Sequence, residues 1–155
     1  RGVAPEVAGF VTGSYWGMFT VGRIFAGWYA KKIDVRKLIY LSISLALFGV
    51  ALLLADSSQI ITILGVTLAG FAIAPIFPGL VSSTTSRVGF RHQANTIGMQ
   101  IAAAGLGVAV VPSIAGVLAR NFGLEVIPLY LLSILALLLL VFIISNSLSG
   151  EYTLD

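Results

Sequence analysis

The chain contains no cysteine, which excludes disulfides, thiolate metal sites and thiol redox chemistry. Histidine is nearly absent: His92 stands alone, and the sequence places it in a loop. There is no HExxH pattern, no serine paired with a histidine at one depth, and no pair of intramembrane carboxylates. An enzyme is therefore not expected, and neither a metal nor a cofactor is called for. Charge is scarce as well. Asp, Glu, Lys and Arg make up 10% of 155 residues, against roughly 25% in a soluble domain. So few polar residues cannot cover the surface of a soluble core of this size.

What the chain has instead is long apolar runs. Hydrophobic residues make up 58%, and no charge falls within 38–55, 57–86, 93–119 or 126–150. Each run reaches the roughly 18 residues a membrane-spanning helix needs. Five spans are expected, at about 8–30, 38–55, 60–82, 94–118 and 126–144. Short connections make neighbouring spans antiparallel, so residues 1–155 read as one all-α, polytopic transmembrane helix bundle in the lipid bilayer. A barrel is excluded, because its strands are about ten residues long and alternate in polarity.

The net charge of +3 does not point to nucleic acid. The basic residues sit in short loops, not on a stripe with interleaved aromatics. Lys31, Lys32, Arg36 and Lys37 follow the first span, and Arg87, Arg91 and His92 follow the third. The opposite side holds Arg1 and Arg120 with Glu6, Asp56 and Glu125. The positive-inside rule then puts the two basic loops and the C-terminal tail in the cytoplasm, in an inner or plasma membrane. Arg1 opens the chain with no signal-peptide pattern behind it, so the sequence is expected to begin mid-protein.

The spans are of two kinds. The second and fifth are almost uniformly aliphatic and suit lipid on most sides. The first, third and fourth are rich in Gly, Pro, Ser and Thr, as helices are that pack on protein or line a cavity. The order (mixed, plain, mixed, mixed, plain) fits a three-helix repeat whose first member lies upstream. Inverted three-helix repeats are a building plan of secondary transporters.

Several residues carry the functional reading. Gly9, Gly13 and Gly17 form a tandem GxxxG, and Gly98 and Gly105 mark a similar stripe in the fourth span. Both suit close helix approach, including an interface with a second, absent domain. Pro75 cannot bond the Phe71 carbonyl, and Pro78 cannot bond that of Ala74. The stretch should therefore face protein or water, either as a structural kink or as a hinge, and Pro112 frees the Val108 carbonyl in the same way. Arg23 is an intramembrane cation that either snorkels to the interface or acts on a solute. Tyr15, Trp16 and Phe19 lie near mid-membrane, suited to packing or to stacking on a sugar ring or drug. Gln100 needs a partner at its depth, either another helix or a substrate hydroxyl.

Gly22-Arg23-Ile24-Phe25-Ala26-Gly27, running on to Lys31-Lys32 and Arg36-Lys37, resembles the loop motif between the second and third helices of each half of the major facilitator superfamily. Span three resembles the tenth helix of its fucose/glucose permease-like branch, and span four the eleventh. The resemblance covers nearly the whole chain. It implies helices eight to twelve of a twelve-helix transporter, a C-terminal half without its first helix. Gly22, Arg23, Gly27, Lys31 and Lys32 take the loop-motif positions. The family's acidic residue falls on Lys31 and its following glycine on Asp34, so the gating charge pair is altered. Expected partners are the N-terminal transmembrane half and a small-molecule solute. The expected function is secondary active transport of a small polar, sugar-like solute by alternating access, proton-linked in the full-length protein. Efflux of a hydrophobic compound and a non-transporting membrane scaffold are the alternatives.

Overall fold

The computed structural model describes residues 5–29, 32–55 and 58–151. It is all-α among these residues: α1 (Pro5–Tyr29), α2 (Val35–Leu54), α3 (Gln59–Ile73), α4 (Ile76–Ser82), α5 (Thr84–Phe122) and α6 (Val126–Glu151). Four segments are long and apolar enough to cross a membrane: Val35–Leu54, Gln59–Ser82, Thr84–Phe122 and Val126–Leu148. At 25 residues, α1 has the length but a lower apolar content, and its reading as a span rests on the family argument below. The chain divides into two compact units, Arg1–Gly79 and Leu80–Asp155.

In the first unit α3 packs against both α1 and α2. The local starts are set by caps. Asp34 accepts a hydrogen bond from the Arg36 amide at 2.7 Å, and Ser58 accepts one from the Ile61 amide at 3.3 Å, each satisfying a donor that the first helical turn leaves free. Ile39, Ile43, Ala46 and Val50 form a buried stripe on α2 at the three-to-four spacing of one helix face. The aliphatic second span thus buries one side, while Leu41 and Phe48 remain exposed. Helices approach closely where side chains vanish. A Cβ at Gly65 would stand 2.7 Å from the Gly49 carbonyl oxygen, and one at Gly70 would stand 2.6 Å from that of Tyr15.

The third span is not one helix. It ends as α3 at Ile73 and resumes as α4 at Ile76, so the break falls at Ala74-Pro75. Pro75 removes the amide that the Phe71 carbonyl would have accepted. That carbonyl instead abuts α1, where a Cβ on Gly22 would lie 2.5 Å from it. The Gly22 backbone is thus placed where weak Cα–H contacts serve an oxygen of this kind. Pro78 does not make a second break. It sits in the first turn of α4, where an amide would have no intrahelical acceptor in any case.

In the second unit the expected connection around Arg87, Arg91 and His92 is a break between two helical segments: α5 is kinked at Gly89, with Arg87 before the kink and Arg91 and His92 after it. The chain turns there, which brings the Thr84 hydroxyl within 3.1 Å of Gln100 Oε1, although a straight helix would hold residues sixteen apart at about 24 Å. Gly89 makes the break between residues 84–88 and 90–122, with φ 74° and ψ 165°, a conformation that glycine adopts without a Cβ clash. Through Pro112 the helix continues, and Tyr130 donates a hydrogen bond from α6 to the neighbouring Val111 carbonyl at 3.1 Å. Gly123, at φ 85°, closes α5 with its amide on the Ala119 carbonyl, as glycine commonly does at a helix C-terminus. Near the other end, Arg87 joins α5 to α6. It donates to Asn146 Oδ1 and to Ser145 Oγ at 3.2 Å, and stands 5.8 Å from the Phe142 ring.

Candidate functional site

Helix α1 has two faces. Ser14, Tyr15, Met18, Gly22 and Ala26 are partly or fully buried, whereas Gly9, Gly13, Trp16, Gly17, Thr20, Ile24 and Gly27 are exposed. The exposed set recurs at the spacing of one helical stripe. A Cβ at Gly9, Gly13, Gly17 or Gly27 would meet nothing within 4 Å among the described residues. Tyr15 and Trp16 are adjacent in sequence, and their places differ. The Tyr15 ring and carbonyl both press on Gly70 of α3, while Trp16 is 59% exposed.

Tyr15, Trp16 and Phe19 do meet as one aromatic cluster. Tyr15 stacks with Phe19 at 6.2 Å, and Trp16 meets each of them edge to face, at 5.3 Å and 5.7 Å. Arg23 lies on the same cluster, its guanidinium 4.8 Å from the Phe19 centroid, a cation–π distance. Below it, Thr67 and Ser14 hydroxyls stand 3.2 Å apart. Each already has a carbonyl of its own helix within reach, Ile63 for Thr67 and Val11 for Ser14. Of the loop-motif residues, Lys31 lies outside the described residues. Lys32 sits over the Trp28 ring at 5.1 Å.

Gln100 belongs to the second unit and has found a protein partner. Its Oε1 is 3.1 Å from Thr84 Oγ1, and the same hydroxyl lies 3.1 Å from the Leu80 carbonyl. One hydroxyl proton serves one acceptor at a time, so the Gln100 amide keeps capacity for a second hydrogen bond. Gly98 and Gly105 are open like the glycines of α1, with nothing within 4 Å among the described residues.

The sequence reading missed a cleft in the first unit of about 340 Å³, floored by Phe71, Ala72 and Pro75 of α3. Its walls are Gly22, Phe25, Ala26 and Tyr29 on α1, and Leu38, Leu41, Ser42 and Leu45 on α2. Both sets follow the i, i+3, i+4, i+7 pattern of one helix face. That signal was in the sequence, but it looks the same for a packed face and for the wall of a cleft.

A protein of Saccharomyces cerevisiae, "Bypass of stop codon protein 6", is 26% identical over 130 residues, which is 77% of this chain. The chain spans about a quarter (26%) of that curated relative's length. No solved structure matches. The family model described as Major Facilitator Superfamily matches residues 1–150. With its long apolar helices, the chain is an integral membrane protein, and it belongs to the major facilitator superfamily, a family of membrane transporters.

Proposed function

We propose that this chain is the C-terminal half, helices eight to twelve, of a secondary transporter that moves a small polar, sugar-like solute by alternating access. The observation that carries the reading is the family match over residues 1–150. In this assignment α1 is helix eight, α2 helix nine, α3 with α4 helix ten, α5 helix eleven and α6 helix twelve. The fucose/glucose permease-like branch and proton coupling form the finer part of the proposal, as does an inner or plasma membrane location with a cytoplasmic C-terminus.

Two features support transport over a static scaffold. Small-residue stripes on α1 and α5 have no covering side chains among the described residues, which suits docking and sliding against an N-terminal half. The interruption at Ala74-Pro75 is the kind of broken helix that transporters place beside a solute path. The exposed Trp16 indole of the first unit offers a face on which a sugar ring could stack. Efflux of a hydrophobic compound is the second reading, favoured by how few polar side chains these faces carry.

The test is uptake of labelled hexoses into vesicles holding the full-length parent protein. Saturable uptake that collapses with the proton gradient is expected. Uptake of hydrophobic dye with no hexose uptake would replace the sugar reading by the efflux one, and neither activity in folded, oriented protein would leave the scaffold. In the same vesicles Pro75→Ala restores the missing amide and should slow transport several-fold while changing solute affinity less. Unchanged transport would reduce Pro75 to a packing kink.

A further inference from the structure

The cleft between α1 and α2 has an order of chemistry along its length. Its outer end is formed by Tyr29, Ile33 and Leu38, and Lys32, Arg36 and Lys37, all exposed, stand next to these in sequence. The three cations form no ion pair among the described residues, and Asp34, the carboxylate between them, is turned to capping the Arg36 amide. Inward lies Ser42, only 5% exposed, which lines the cleft. Its hydroxyl makes no hydrogen bond among the described residues. The hydroxyl oxygen is open to the cleft and not sealed off without a partner, so it is free to donate to an acceptor that enters there. Level with Ser42 stands Phe25, with Ala26 a little nearer the mouth, and Gly22 and Leu45 lie deeper in. From Gly22 to Tyr29 the α1 wall runs about 10 Å at 1.5 Å per residue.

We propose that this cleft binds one anionic phospholipid: the phosphate at Lys32, Arg36 and Lys37, an ester carbonyl accepting from Ser42, and an acyl chain along Gly22, Phe25, Ala26 and Leu45. Cation, hydroxyl and the deeper apolar wall at Gly22 and Leu45 follow one another in the order in which a phospholipid presents phosphate, ester and chain. Concave apolar sites with a few placed polar groups are what small amphipathic ligands occupy. A cluster of Lys and Arg beside a membrane helix attracts anionic headgroups. Gly22 and Ala26 leave the α1 wall nearly flat where the chain lies. This site does not depend on transport, and its occupancy is read without it.

The test is native mass spectrometry of the full-length parent protein, delipidated and re-equilibrated with phosphatidylglycerol or phosphatidylcholine of the same chains. The protein should retain phosphatidylglycerol about tenfold more than phosphatidylcholine, since each basic residue near a headgroup adds to the attraction. The combined Lys32→Ala, Arg36→Ala, Lys37→Ala variant should lose that preference. Ala26→Phe, which fills the cleft from its wall, should lower retention of both lipids. Raising the salt concentration on the unaltered protein should lower phosphatidylglycerol retention alone, a readout that needs no variant to fold. Equal retention of the two lipids overturns the proposal, and so does retention unchanged by both variants. Absence of any bound lipid would show the cleft covered by another part of the full-length chain, which also overturns it.

Discussion

Replacing Gly65 by leucine is expected to have the largest effect on stability, lowering the melting temperature of the full-length protein by roughly 5 °C or more. Even a Cβ at this position would lie 2.7 Å from the Gly49 carbonyl oxygen, 2.9 Å from Leu53 Cδ2 and 3.3 Å from Leu52 Cβ. The crossing is reciprocal, for a Cβ on Gly49 would meet the Gly65 carbonyl oxygen and the Ala69 amide, both at 3.0 Å. Backbone cannot yield as the tip of a side chain can. A leucine must push α2 and α3 apart, and the same movement loosens Ile43, Ala46 and Val50, which are 0%, 0% and 2% exposed. Overpacking of this kind costs about 1–3 kcal/mol, and more where backbone is in the way. Thermal melts in detergent check it, with Ser44→Leu on the exposed side of α2 as the control for added bulk. A melting point equal to that of the control would mean the crossing is looser than its distances state.

Much of the fold was legible because the bilayer requirement is written in runs of apolar residues, and a run survives small errors of register. Four of the five expected spans coincide with helices that are long and apolar enough to cross, and α1 covers most of the fifth. The helix ends were harder to see. The charged stretch around Arg87, Arg91 and His92 marked the connection between two spans, but not its form, a kink at Gly89 with helical turns on both sides. The two prolines of the third span looked alike in sequence. Pro75 breaks the helix and Pro78 does not, because the break places Pro78 in the first turn of a new helix, where no intrahelical bond needs its amide. Long-range pairs such as Arg87 with Asn146 were beyond reach, since nothing local marks which helix a side chain will meet. The candidate site was legible in part. The three aromatics singled out in α1 touch one another, Gln100 has Thr84 beside it, and the cleft went unseen.

The difference between Tyr15 and Trp16 yields the second large effect, on solute binding. If the open face of α1 lines the solute path, Trp16→Ala should weaken solute affinity by roughly tenfold to a hundredfold, about 1.4 to 2.8 kcal/mol. An aromatic face gives about 0.5–1.5 kcal/mol beyond the area it covers, and its burial by the solute accounts for the rest. Melting temperature should barely change, because a side chain that is 59% exposed contributes little to helix packing. Tyr15 should behave in the opposite way. Its ring lies against Gly70, so Tyr15→Ala should lower the melting temperature, whereas Tyr15→Phe, which keeps the ring, should leave both stability and binding near normal. Phe19→Ala falls between them, since it removes a contact with each neighbour and the platform under Arg23. Solute titration and thermal melting on the same purified full-length variants separate these outcomes. Loss of binding at Tyr15→Phe with none at Trp16→Ala would move the site to the buried face of α1, where the Tyr15 hydroxyl and not the Trp16 indole would be the group that meets the solute.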